Sequence, residues 1–439
     1  MNARGYGSIP SELCYWITFL SEALPLRSVG SFIELLIGAM LTPTGFVTDA
    51  YLMVNMRNHW TSYYKWLQQG KWSWLALARQ FVRLVLANVK CDVIHLAIDD
   101  TLTLRSSKKA PGSRIHHQHG NKANLASYVL GQCWVNLAMI VRRSNGEPVA
   151  LPLLSRLMPG RGNTGKLVAA NTLIRVVQGL LREFRVRVLM GSWYMRRTVI
   201  NAMLKRGFNV VGQVRKDTRL YDVPAPRSKG QRGRSRKYGE KYTPERIEHL
   251  DRWIATLNIY GKEQQVRLRS QLVKARFLNG KLVRAVWCEF GNDKKQNQWK
   301  TASLLLSTDT RLTAEQVVES YSLHWPIEPM FNQLKQAWGL KEAWQQTHQT
   351  LHSWVHITMA GYGLMQLLSC LNSHAVDELC RHSPWRKQNP KTAGQIRKGL
   401  AGILRHVAVR QRWNAKCKKF MPPNWNKNSD SECERIKTT

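Results

Sequence analysis

The run Cys91 to Thr101, CDVIHLAIDDT, constrains the fold most. It is β-branched and apolar along most of its length and ends in two adjacent carboxylates, Asp99 and Asp100, directly before Thr101. That is the composition of a buried strand. Adjacent strand residues point to opposite faces, so only one of the two carboxylates can join a shared site. The downstream segments fix the order of elements. YVLGQCWVNLAMIVRR and PVALPLLSRLM flank an Asn145-Gly146 turn and complete a three-stranded meander. After Gly160 to Gly165 a helix is expected to run to Phe184, with Leu167, Ala170, Ile174, Val177 and Leu181 on one face. VRVLM and NVVGQVRKD then read as two more strands.

The flanks have a different texture. Residues 1–90 read as helical and aromatic. In SFIELLIGAMLTPTGFVTDAYLMVN apolar residues recur at helical spacing from Phe32 to Leu41, Pro43 to Gly45 break the pattern, and Thr48 or Asp49 can cap a second helix. Two readings are open, a helix-turn-helix entering a major groove or a plain helical hairpin. From Gln264 to Phe290 alternating runs around Asn279-Gly280 predict a hairpin, followed by the strand TASLLLSTD. Thr313 with Gln316 reads as a capping box, and residues 341–410 read as further helices.

Against 66 Lys and Arg stand 28 Asp and Glu, a net charge of +38 that calls for a polyanionic partner. The basic residues are spread along the chain among 17 Trp and 13 Tyr, which favours nucleic acid over a membrane surface. No run is long and apolar enough to span a bilayer, and no leader is expected at the N-terminus. The eight Cys form no zinc-like spacing and read as reduced thiols. Residues 105–124 read as a basic loop whose His116, His117 and His119 suit phosphate contact better than zinc. Residues 227–241 hold seven Lys or Arg against one Glu. Arg232, Arg234, Arg236 and Lys237 are therefore expected to touch a sugar-phosphate backbone.

The stretch ESYSLHWPIEPMFNQLKQAWGL, Glu319 to Leu340, places Tyr321, Glu328 and Lys335 seven residues apart, with His324 four before Glu328. Seven residues turn a helix by about 700°, so these side chains share one face of a continuous helix. Pro326 lacks an N–H, so the helix kinks there or a new one starts. This spacing resembles the signature of IS4-type DDE transposases, Tyr, two residues, Arg, three residues, Glu, six residues, Lys, with His324 at the Arg position. The resemblance extends over nearly the whole chain.

It implies an α/β fold: an RNase H-like mixed five-stranded sheet flanked by helices, with a β-rich insertion and helical N- and C-terminal regions. The implied division is a DNA-binding helical region at 1–90, the core at 91–217 and 311–345, a basic loop and insertion at 218–310, and a helical region with a basic tail at 346–439. It implies an enzyme that binds the terminal inverted repeats of its element and uses Mg²⁺ or Mn²⁺ to free a 3′-OH that attacks target DNA. Asp100, the acidic residue directly before Thr101, and Glu328 would ligate metal, with Asp99 the fallback for Asp100. Tyr321, His324 and Lys335 would hold phosphate. Double-stranded DNA as partner, a homodimer at synapsis and a cytoplasmic, nucleoid-associated location are implied as well. One departure matters: where the family strand ends in Asp before a small residue, Trp and Tyr, this chain reads VRVLMGSWYM, with Gly191 at the carboxylate position. Glycine supplies no side-chain oxygen, and Asp217 is the nearest acidic residue downstream. Strand cleavage is therefore expected to be impaired. The alternative is a catalytically inactive relative that only binds DNA. RNA binding is the weakest reading, since no aromatic RNP motif is present.

Overall fold

The computed structural model describes residues 8–117, 126–158, 164–226, 234–291, 298–371, 373–386 and 389–421; His119 and Arg232 lie outside them. Five helices open the chain: α1 (Ser11–Ser21), α2 (Leu26–Leu41), α3 (Val47–Met53), α4 (Trp60–Gln69) and α5 (Trp74–Asn88). Pro10 and Pro25 sit at the N-caps of α1 and α2, where a missing N–H costs nothing. The α2–α3 break falls at Pro43 to Gly45 as expected, but Phe46, not Thr48 or Asp49, takes the N-cap of α3, and Asp49 accepts from the Thr44 hydroxyl at 2.6 Å.

The sheet begins with β1 (Val93–Leu104), β2 (Arg114–His117), β3 (Tyr128–Arg142) and β4 (Pro148–Leu157). The segment expected to be a loop thus holds a short strand carrying His116 and His117, paired with the start of β3. Next come α6 (Thr164–Val177), β5 (Arg185–Met190), α7 (Arg197–Leu204) and β6 (Asn209–Val214). α6 stops at Val177, short of the expected Phe184, and is succeeded by a 3₁₀ turn. β1, β5 and β6 run parallel, β3 is antiparallel to β1 and β4 to β3. The order β4-β3-β1-β5-β6 is consistent with an RNase H-like core.

The insertion continues this sheet. It consists of β7 (Leu220–Tyr221), α8 (Pro244–Glu248), β8 (Trp253–Ile259), β9 (Lys262–Ala275), β10 (Lys281–Phe290) and β11 (Ser303–Ser307). β11 pairs antiparallel with β6, β10 with β11, and β9 with β10, giving one eleven-stranded sheet where a five-stranded one was expected. The pairing satisfies the backbone edge of β6, which would otherwise stand open.

The chain ends with α9 (Ala314–Ser322), α10 (Ile327–Gln336), α11 (His348–Leu368), α12 (His374–Leu379), α13 (Ala393–Leu404) and a small pair, β12 (Trp413–Asn414) and β13 (Lys419–Phe420). The helices from the two chain ends pack on one another. α11 is buried nearly all round, against α2, α5, α4 and α13 on one side and β4 on the other. Glu34 of α2, fully buried, accepts from the Arg57 N–H (2.9 Å) and the Tyr63 hydroxyl (2.8 Å), and Arg410 of the C-terminal region reaches it at 3.5 Å. The Gly45 turn is clamped too: Trp354 Nε1 donates to its carbonyl at 2.8 Å, and its N–H donates to Glu342 Oε2 at 3.1 Å. Among the described residues six cysteines are free, whereas Cys417 is disulfide-bonded, against the expectation of reduced thiols throughout. Among the described residues, no helix is long and apolar enough to cross a membrane.

A histidine cluster joins the helical layer to the sheet. Trp74 stacks on His356 (4.3 Å) and His352 (4.9 Å), and Trp134 meets His352 edge-on at 5.1 Å. The Ser155 N–H points at His356 Nε2 (3.3 Å), while Nδ1 lies 2.7 Å from the His352 carbonyl. This pair of partners fits a neutral ring, with Nδ1–H donating and Nε2 accepting. Burial pushes the His356 pKa down to about 4, and His352 moves in the same direction. Between pH 6.5 and 4 the unfolded chain therefore binds more protons than the folded one. The stability from this ring is present in full above pH 6.5 and is lost as pH falls toward 4, a difference of roughly 3 kcal/mol for His356. Thermal midpoints measured across that window should fall with pH, and His356→Gln, which keeps a donor and an acceptor but does not titrate, should flatten the fall.

Candidate active site

α9 is started by the capping box at Thr313 and Gln316, as the sequence predicts. It stops at Ser322, and Pro326 occupies the N-cap of a separate helix, α10. Pro326 therefore starts a new helix, and Tyr321 is not on the helical line of Glu328 and Lys335. Those two remain together on α10, one in its first turn and one in its last. Behind α10 the chain turns at Gly339, whose φ of +67° favours glycine and whose missing Cβ leaves room for the Gly45 backbone. Buried Arg105, just past β1, donates to the carbonyls of Lys341 (2.6 Å) and Ala343 (2.9 Å) and to Gln132 Oε1 (3.0 Å). The segment after Glu328 is thereby tied to the end of the carboxylate-bearing strand.

Strand alternation divides the two aspartates. Asp100 faces α6: Lys166 Nζ lies 2.7 Å from its Oδ2, the Tyr194 hydroxyl donates to Oδ1 at 2.7 Å, and Cys133 Sγ approaches at 3.4 Å. Burial alone would lower the Lys166 pKa, but Asp100 and Cys133 outweigh it and the net shift is upward. Asp99 faces the other way. Its face of β1 also carries His95, 3.2 Å from Arg187, which in turn donates to Ser320 of α9. Burial, then the Asp100 carboxylate, push the Asp99 pKa up to about 7, and Glu328 adds in the same direction. Glu328 is itself raised by the packing around its carboxyl. Tyr321 is raised chiefly by burial, with Tyr260, Asp99 and Glu328 contributing. Asp99 is thus the aspartate whose pKa Glu328 helps to raise, while Asp100 is paired with Lys166 and Tyr194.

Position 191 lies just past the end of β5. β1 and β5 run in parallel register as far as Ile98 opposite Met190, and Gly191 follows directly, beside the end of β1 that carries Asp99 and Asp100. A Cβ built at Gly191 meets nothing within 4 Å. A side chain at position 191 would enter open space. Asp217 does not fill it, being largely exposed and paired with Arg215 at 3.1 Å. Beside α10 lies a cleft of about 850 Å³ lined by Arg142, Asn145, Tyr260, Trp325 and Gln333.

The expected phosphate contacts are placed unevenly. His324 is buried, its Nε2 3.3 Å from the Ile98 carbonyl and its ring stacked on Tyr321; burial lowers its pKa, so it is poorly suited to replace an arginine. The Tyr321 hydroxyl donates to Gln213 Oε1 at 3.2 Å. Lys335 is half-buried on α10. Arg234, Arg236 and Lys237 are exposed, far along the chain from the carboxylates, and Lys237 bonds Asn279. Sequence reasoning missed Lys166, Tyr194 and Cys133. Tyr194 was within reach, since it belongs to the Trp-Tyr pair just after Gly191; Lys166 had no signal beyond a place near a helix start.

Carboxylate oxygens suit Mg²⁺ or Mn²⁺. Yet no group of three or more His, Cys, Asp or Glu placed to hold a metal ion exists among the described residues. The described residues therefore do not make up a two-ion centre.

The Asp100–Lys166 pair is about five-sixths buried on both sides, at 16% and 17% side-chain exposure. Lys166→Met leaves Asp100 without its counter-charge and should destabilise the protein by about 3 kcal/mol. Adding Asp100→Asn should recover much of that loss, as a double-mutant cycle by denaturant unfolding would show.

The family described as DDE superfamily endonuclease matches residues 32–274, a stretch holding Asp99, Asp100 and Gly191 but ending before Glu328. No curated protein matches the chain. With more than half its length covered, and with carboxylates at the ends of adjacent core elements, this chain belongs to the DDE superfamily endonuclease family.

Proposed function

We propose that this chain is an IS4-type DDE transposase whose strand-cleaving centre lacks its second carboxylate. Its substrate is double-stranded DNA, the terminal repeats of its own element and then a target. The observation that carries this reading is the open position at Gly191, directly after β5 and beside the end of β1 that carries Asp99 and Asp100. An aspartate there would bring three carboxylates to one edge of the sheet, the oxygen-rich set that phosphodiester chemistry with divalent cations requires. In this chain's own residues, Lys166 and Tyr194 hold Asp100 away from that set, and Arg105 fixes the segment behind Glu328. The excess of 66 basic over 28 acidic residues supports DNA binding that survives the loss of cutting.

The division into a DNA-binding region at 1–90, a core interrupted by an insertion, and a helical region at 346–439 belongs to the same reading. So do a homodimer that brings two ends together, a cytoplasmic, nucleoid-associated location, and phosphate contacts from Arg234, Arg236, Lys237 and Lys335. The second reading, a remnant that only binds DNA, is favoured by Gly191 itself.

A nicking assay on the element's terminal DNA with Mg²⁺ separates them. The unaltered protein should bind but not cut. Gly191→Asp should restore cutting, and Gly191→Asp with either Asp99→Asn or Glu328→Ala should lose it again by at least a hundredfold, a scale in keeping with removal of a metal-centre group. If Gly191→Asp stays inert while DNA binding persists, the remnant reading holds. Cutting by the unaltered protein would overturn the claim about Gly191.

A further inference from the structure

A groove of about 400 Å³ lies at the C-terminal ends of β5 and β6, one residue beyond Gly191. Arg196 and Arg197 at the start of α7, Arg215 and Arg219 after β6, and Arg276 after β9 line it, over a floor that includes Met195, Val214 and Phe277. All five arginines are exposed. Asp217 is the one carboxylate among the described lining residues, and it is committed to Arg215 at 3.1 Å. Four guanidinium groups therefore face one groove with no acidic partner lining it.

The groove is continuous with a second cationic segment. Arg276 Nη1 donates to the Tyr221 hydroxyl at 3.4 Å, Tyr221 packs on Tyr238 at 5.0 Å, and Lys237 bonds Asn279. The exposed residues around Arg234, Arg236 and Lys237 are thus fastened beside Arg276. From there the arginines lead to Ser192, next to Gly191.

We propose that this groove binds the sugar-phosphate backbone of DNA and sets the path of one strand from the segment at 234–238 to position 191. The proposal rests on the reading of DNA as substrate and adds where its backbone lies. Guanidinium groups carried on three separate elements suit a row of phosphates better than one small anion, and an apolar floor suits the sugars between them.

The test is duplex binding by fluorescence anisotropy over a range of NaCl concentrations. Each phosphate contact removed lowers the slope of log K against log salt by about 0.9. Arg219→Ala with Arg276→Ala should lower the slope by about two and weaken binding on the order of tenfold at low salt. Arg219→Lys with Arg276→Lys should retain most of the slope. Arg185→Ala with Arg311→Ala, at the other end of the parallel strands, should leave it unchanged. Replacing NaCl by sodium phosphate at equal ionic strength should not compete further; if it does, the groove is a small-anion site and the proposal fails.

Should the double variant not fold, the unaltered chain gives the answer. DNA should protect Arg196, Arg219 and Arg276, but not Arg185 or Arg311, from an arginine-specific dicarbonyl reagent read by mass spectrometry. An unchanged slope, absence of protection, or protection by duplex RNA and not by DNA would overturn the proposal. If the unaltered protein binds no DNA at all, the substrate reading itself falls; if it binds and only the groove variant is neutral, the groove alone is refuted.

Discussion

The alternation of side chains along β1 is the constraint on which the site depends. The strand is paired on both sides, with β3 along most of its length and with β5 up to Ile98, so its register cannot slip without turning every residue to the other face. Asp99 and Asp100 are thereby sent into different environments. One is tied to a lysine and a tyrosine hydroxyl, while the pKa of the other is raised by burial, by its neighbour and by Glu328. Two adjacent carboxylates of the same kind acquire different chemistry from one backbone rule.

Around that strand the molecule is assembled from both chain ends. The α2–α3 turn is gripped by Glu342 and Trp354, which lie beyond the Glu328 helix, and Arg410 reaches back to buried Glu34. Contacts this distant in sequence hold α10 from behind, as Arg105 holds it from the side. A helix carrying one carboxylate in its first turn has little stability of its own at ten residues, so its placement comes from these tertiary ties. The buried histidines and tryptophans between α11, α5 and β4 serve the same joint.

Much of this is legible in the residues. The apolar run before Asp99, the Asn145-Gly146 and Asn279-Gly280 turns, and the Thr313–Gln316 cap each have a local cause and appear where local physics puts them. Structure and expectation part where a distant partner decides. The short strand at Arg114–His117 exists because β3 extends far enough to pair with it, and the insertion joins the main sheet because β6 offers an edge. Spacing gives His324 the place of an arginine, but the fold buries it against the Ile98 carbonyl. Lys166 cannot be matched to Asp100 from sequence, since sixty-odd residues and a β-meander separate them.

The sequence by itself determined the element order, the cationic character and the glycine at position 191, because composition, periodicity and the identity of a single residue are local properties. Only the tertiary structure decided that Asp100 is tied to Lys166 and Tyr194, that a side chain at Gly191 would meet open space, and that five arginines from three elements share one groove. Those facts depend on strand register and on the packing of remote segments, which no local pattern carries.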